Sequence, residues 1–168
     1  MFDVVLIGVL VFCLWMLVKL LRHEAIFIPL PRDTIRQMLK LAKVRSSDVL
    51  YDLGAGDGRV AIIAAKEFGC NAVGIEKDRI LYWLARRNAA GLGKRVRIIR
   101  GDFFKQDISD ASVVAIYLSG KLNEQLKAKL KRELKKGTRI VSASHVFKGW
   151  KEVGRVKTGH FYTYLYKI

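Results

Sequence analysis

The chain is poor in the residues that build metal and disulfide centres. It has two cysteines, Cys13 and Cys70, and three histidines among 168 residues. That excludes a disulfide scaffold and leaves no metal-ligand spacing, so no metal is expected. Proline is scarcer still for the length: Pro29 and Pro31 are the only two, and they share one short stretch. Acidic residues are also few, with 15 Asp and Glu against 31 Lys and Arg, a formal net charge of +16. Such a surplus favours acidic partners, whether anionic lipid, nucleic acid or acidic protein, without choosing among them. What is abundant is apolar: 51% of residues are hydrophobic and 27% charged. This composition excludes a disordered chain and a multi-span membrane protein. The length suits one domain, which at this size buries roughly 70% of its unfolded surface.

The apolar residues are not spread evenly. Val4 to Val18 carry no charge, and the 20 residues from Phe2 to Leu21 are broken only by Asp3 and Lys19. As a helix such a segment is about 30 Å long, the thickness of a hydrocarbon core. Lys19 lies near its end, where it can reach the headgroups, and Trp15 suits an interface. A buried soluble helix would keep a polar face, and a cleaved signal peptide would begin with basic residues rather than Met-Phe-Asp. The segment 1–23 is therefore expected to be a single transmembrane anchor. Positive charge flanks its C-terminal end only, which predicts a catalytic domain on the cytoplasmic side.

Residues 24–47 read as a linker followed by a leading helix. The stretch EAIFIPLP is extended because of its prolines. After it Ile35, Met38, Leu39 and Ala42 fall at helical spacing, with Asp33 placed to cap. Residues 48–168 then alternate. VLYDLG, NAVGIE, RVRIIRGD, SVVAIYL and TRIVSASH read as strands. GRVAIIAAKEFG, DRILYWLARRNAAGLG and KLNEQLKAKLKRELKKG read as helices, and the tail reads as two strands around Thr158-Gly159. The expected fold is α/β, Rossmann-like, with a mostly parallel sheet and a C-terminal antiparallel hairpin.

The strongest chemical signal is Asp52-Leu53-Gly54-Ala55-Gly56-Asp57-Gly58, between a strand and a helix. A doubly wound sheet binds its ligand at such a turn. Glycines there let the backbone turn tightly and approach a ligand closely. The spacing is not that of a dinucleotide fingerprint, and a carboxylate at Asp52 would repel a pyrophosphate while attracting an ammonium. The amino acid moiety of S-adenosylmethionine carries an ammonium, and that cofactor has no phosphate. Glu76 ends the next strand, where a carboxylate accepts ribose hydroxyls. Asp102 follows the third, with Phe103 beside it; in the methyltransferases that the chain resembles, an Asp here accepts from the adenine amine and an apolar neighbour covers the ring. Asp52, Gly54, Ala55, Gly56, Gly58, Glu76, Asp102 and Phe103 are thus the expected cofactor-binding residues.

With these residues the chain resembles a class I, seven-strand methyltransferase. A closer resemblance runs from about Phe27. It rests on Phe27-Ile28-Pro29-Leu30-Pro31, on Tyr51 to Arg59, on Val114-Ala115-Ile116-Tyr117-Leu118, and on Asn123, Leu126, Leu130 and Leu134 leading to Gly137-Thr138-Arg139. Gly149-Trp150 and Tyr164-Leu165-Tyr166 complete it. The pattern is similar to the small archaeal protein-lysine methyltransferases, whose mitochondrial relatives carry a hydrophobic N-terminal segment and methylate the c-type ring protein of ATP synthase. Leu30 stands where that family usually has threonine. The resemblance implies a protein-lysine substrate.

Methyl transfer to an amine asks mainly for positioning and for a deprotonated nitrogen, which an apolar pocket favours. The fourth strand ends in Ile116-Tyr117-Leu118-Ser119-Gly120, without the proline pair of amine methylases acting on adenine or glutamine. Tyr117 is the candidate catalytic residue, orienting the amine; the other reading makes it a core aromatic. Cys13 and Cys70 lie outside any site for carbon-5 pyrimidine chemistry. Two basic clusters, 86–100 and 127–136, are either solvated helix faces or contacts for anionic headgroups. Nucleic acid is disfavoured because aromatic residues do not alternate with the charge. An RNA methyltransferase and a non-catalytic cofactor-binding module are the rival readings. A monomer is expected.

Overall fold

The computed structural model describes residues 5–11, 13–14 and 27–168. The membrane span expected over 1–23 falls largely outside these residues. The described part of it is helical, with exposed apolar side chains at Val5, Leu6, Ile7, Val9, Leu10, Val11 and Leu14. Among the described residues no helix is long and apolar enough to cross a membrane.

Seven strands form one sheet: β1 Val49–Leu53, β2 Asn71–Glu76, β3 Val96–Arg100, β4 Val113–Ile116, β5 Arg139–Ala143, β6 Gly154–Thr158 and β7 Phe161–Lys167. Their order is β3-β2-β1-β4-β5-β7-β6. The first five run parallel, and β7 enters antiparallel between β5 and β6. The order reverses between β1 and β4, which opens a crevice at the C-terminal ends of the central strands.

The central strands are apolar on both faces because helices cover both. Successive residues alternate between two cores. Leu50, Val113, Ala115 and Val141 join one core with Ile35, Met38 and Leu39 of helix α1 (Arg32–Leu41) and Val60, Ala61 and Ala64 of α2 (Arg59–Phe68). Tyr51, Leu53, Val114, Ile116 and Ile140 join the other, with Leu126 and Leu130 of helix α4 (Gly120–Glu133). Helix α3 (Arg79–Ala89) buries Leu81, Ala85 and Ala89 and flanks β3.

Three details differ from the sequence reading, and a fourth, at Leu30, adds to it. Asp33 does not cap α1; Pro31 holds the cap position without a side-chain bond, and Asp33 accepts from Arg36 Nη1 at 2.8 Å. The third helix is shorter than its apolar pattern, since Gly93 at φ 54° breaks the following 3-10 segment, Ala90–Arg95. The fourth strand ends at Ile116, so Tyr117 lies just past it. Leu30 is 2% exposed and belongs to the core, while its carbonyl accepts from Arg59 Nη1 at 3.1 Å. An apolar side chain at this position is held by packing, and its backbone by the glycine-loop arginine.

Candidate functional site

Three carboxylates stand at the C-terminal ends of β1 and β2 and just past β3. Asp52, in β1, is 4% exposed, and its Oδ2 has no hydrogen-bond partner. Burial, then the nearby Glu76 and Asp57, push its pKa up to about 7, against a backbone bond from Ala61. A buried acceptor without a donor is costly, so its place at a crevice needs a reason. Glu76 Oε2 accepts from Gly56 N at 2.8 Å, and Oε1 accepts from Asp78 N at 2.8 Å. The carboxylate thereby fixes the glycine loop against the start of α3. Asp102 Oδ1 accepts from Phe104 N at 2.9 Å, which folds the turn after β3 and sets the Phe103 and Phe104 rings 4.8 Å apart.

The loop between β1 and α2 needs its glycines. Gly54, Gly56 and Gly58 have φ of 83°, 57° and 82°, values that L side chains resist. Gly54 N and Ala55 N both donate to Ile75 O at 3.0 Å, and Gly58 N donates to Ala55 O at 2.8 Å. These bonds lay the loop across the end of β2 and beside Glu76. The residues that the sequence singled out for the cofactor are thus gathered at one end of the sheet.

Two neighbours of this loop were not foreseen. The Phe27 ring covers Gly56 so closely that a methyl group there would overlap it. Leu118 covers Gly54, its Cδ2 lying 2.9 Å from where a β-carbon would be. Both contacts join segments distant in sequence, which no local pattern signals.

Tyr117 is half-buried and stands edge-on to Phe161, ring centroids 6.1 Å apart. It therefore packs on β7, one residue past the C-terminal end of β4. Beside it, Ser119 caps α4, its Oγ accepting from Leu122 N at 3.4 Å. Past the end of β5 the chain makes a three-residue turn: His145 N donates to Ala143 O at 2.9 Å, with Ser144 at φ 68°. This turn type is strained for a non-glycine residue. A polar knot holds it. Asn123 Nδ2 donates to Ser142 Oγ at 3.0 Å and to His145 O at 3.1 Å, and Ser142 Oγ donates to His145 O at 2.6 Å. Serine at 142 and 144 gave no signal in the sequence beyond ending a strand.

Cys70 is buried, and burial pushes its thiol up to about 11, which removes the thiolate a nucleophilic mechanism would use. A cavity of about 370 Å³ lies at the opposite end of the sheet, lined in part by Arg45, Asp48, Arg139 and Lys167. Doubly wound sheets bind at the other end, where the carboxylates are.

A buried, unpaired carboxylate with a pKa near neutrality suits a cationic group. An ammonium there would satisfy the orphaned oxygen of Asp52. A pyrophosphate would face two carboxylates. The site thus fits an amino-acid-bearing nucleoside rather than a dinucleotide.

The comparisons with known proteins agree. The family described as ANTKMT methyltransferase domain matches residues 52–154. The chain belongs to this methyltransferase family. A protein-lysine N-methyltransferase of Saccharolobus islandicus (strain REY15A) is 46% identical over 149 residues, 84% of this chain and 92% of that protein. The adenine nucleotide translocase lysine N-methyltransferase of Mus musculus is 30% identical over 151 residues, 88% of this chain; the chain spans 65% of that relative's length. Among solved structures, an RNA methyltransferase from Salinibacter ruber in complex with S-adenosyl-L-homocysteine superposes with a TM-score of 0.82 at 40% identity. That match covers 84% of this chain and 94% of the other. The methyltransferase is S-adenosylmethionine-dependent, and the orphaned Asp52 and its glycine loop fit that cofactor.

Proposed function

We propose that this methyltransferase modifies the side-chain amine of lysine on a protein, and that the N-terminal apolar run holds it at a membrane with its catalytic domain on the cytoplasmic side. The observation that carries the substrate is the match to a protein-lysine methyltransferase over 92% of that relative's length. The anchor rests on the uncharged run Val4 to Val18 and on the exposed apolar side chains of its described residues.

Bound cofactor supplies an electrophilic methyl group on a sulfonium; the chain supplies position. Asp52 takes the ammonium of the amino acid moiety. Glu76, already fixed by two backbone donors, accepts ribose hydroxyls with its remaining lone pairs. Asp102 accepts from the adenine amine beside Phe103, and Gly54, Ala55, Gly56 and Gly58 leave room for close backbone approach. Tyr117 orients the acceptor nitrogen. Leu118 and Phe161 give its surroundings an apolar character that favours the neutral amine.

RNA is the second reading, because the Salinibacter relative is described as an RNA methyltransferase and the net charge is +16. Incubation with radiolabelled cofactor and a cell extract separates the two. Label removed by protease and untouched by ribonuclease is expected. Label lost to ribonuclease instead refutes the protein substrate. Cofactor binding without label transfer returns the reading to a non-catalytic module.

A further inference from the structure

Helix α3 has an outer face that the fold leaves uncovered. Its inner row is buried at Leu81, Ala85 and Ala89, while Ile80 is 62%, Trp83 54% and Leu84 41% exposed. Residues 80, 83, 84 and 87 lie on one side of a helix. Large apolar side chains gathered in this way mark a contact surface, unlike single exposed ones. Their frame is cationic. Arg79, Arg86 and Arg87 are exposed on the same helix, which has no acidic residue from 79 to 89, and Lys94 and Arg95 are exposed just beyond. Arg86 lies 5.2 Å from the Trp83 ring centroid and 5.8 Å from that of Tyr82. A basic rim around an exposed tryptophan and two aliphatic residues has the composition of a helix lying in a lipid interface.

The place of this face matters as much as its composition. Phe27, where the described domain begins, lies on Gly56 of the glycine loop. The other side of that loop is held by α3. Asn88 Nδ2 donates to Asp57 O at 3.0 Å, and the Ala85 methyl lies 3.1 Å from where a β-carbon on Gly58 would be. Phe27, the first described residue of the domain, and α3 thus touch the same glycine loop.

We infer that the outer face of α3, Ile80, Trp83 and Leu84 framed by Arg79, Arg86 and Arg87, seats the domain on an anionic lipid bilayer beside its tether. This deepens the membrane reading above and rests on it. The seat places the cofactor crevice next to the headgroups, so the acceptor is a lysine at the membrane surface.

The test uses the full-length chain with vesicles of phosphatidylcholine alone or with anionic phosphatidylglycerol. In a Trp15→Phe, Trp150→Phe background, Trp83 is the sole tryptophan. Its quenching by the neutral quencher acrylamide should fall about threefold or more on anionic vesicles, and Arg86→Glu with Arg87→Glu should restore it without changing cofactor affinity. A chain that floats with the vesicles while Trp83 stays open to acrylamide overturns the seat and leaves the tether standing. A chain that neither floats nor shields Trp83 overturns both. Equal shielding on the uncharged vesicles overturns the anionic character. Shielding without vesicles, at doubled hydrodynamic mass, assigns the face to a second copy and overturns the lipid reading.

Discussion

In the proposed cofactor site, Asp52 ties charge to ligand binding. Its pKa is raised to about 7, so in the free protein it is partly protonated at neutral pH. An ammonium favours the ionised form, so cofactor affinity should weaken as pH falls below about 7, by up to tenfold per unit. Asp52→Ala should cost about 10- to 100-fold in affinity, read by calorimetry, since a charge-assisted bond is lost. The same group sets an opposite trend in stability. A raised pKa means that the folded state holds the proton more tightly than the unfolded one. Its stabilising contribution is full below the ordinary carboxylate range and is lost as pH rises through about 7. Without cofactor the melting temperature should therefore drop between about pH 4 and 7 and level off above that, and Asp52→Asn should flatten that slope. A slope equal in both proteins would assign the titration elsewhere. Tyr117 is open to a sharper division. Tyr117→Phe keeps the packing on Phe161 and removes only the hydroxyl. Turnover should fall about tenfold with cofactor affinity unchanged, the cost of roughly one hydrogen bond in the transition state. Wild-type turnover would make Tyr117 a packing residue.

At the scale of elements, the sheet is clamped at the end away from the crevice. Asp48 precedes β1 and is buried; it accepts from Arg45 N at 2.7 Å and Ser112 Oγ at 2.7 Å, and it pairs with Arg139 of β5. Burial would raise its pKa, but these donors outweigh it and hold the carboxyl below its ordinary value. Arg139 Nη1 also donates to Ala42 O and Lys43 O, both at 2.9 Å, which terminates α1. One guanidinium thus joins a helix end to two strands. Arg139→Met should destabilise by about 3 kcal/mol, measured by denaturant unfolding, because it leaves a buried carboxylate without its cation. The sequence reading placed α1, β1 and β5 but treated Arg139 only as part of a pattern, since the partners are 91 and 97 residues away. Sequence periodicity resolves an element, and it carries nothing about which element will supply a distant polar partner.

For the whole molecule, charge and hydropathy are segregated. The apolar run lies before residue 24, and the cations concentrate on the domain that follows. Carbonate extraction of membranes should leave the full-length chain in the pellet and release a form that starts near Glu24. Equal behaviour of both forms would remove the anchor. High salt should not release the full-length chain, because screening weakens headgroup contacts and leaves burial of an apolar helix in lipid intact.

The sequence by itself determined the fold class, the alternation of strands and helices, and the glycine-loop carboxylates. Strand and helix periods, and glycines at a strand-to-helix turn, are local properties written within a few residues. The ends of β1 and β2 and the turn after β3 converge because parallel strands with right-handed crossovers bring their C-terminal ends to one side. Tertiary structure alone decided what surrounds them. Phe27 over Gly56, Leu118 over Gly54, the strained Ser144 turn held by Asn123, and the orphaned oxygen of Asp52 all arise from segments far apart in the chain. A buried group's partners and its pKa follow from which side chains packing brings within a few ångströms, and no local pattern encodes that distance.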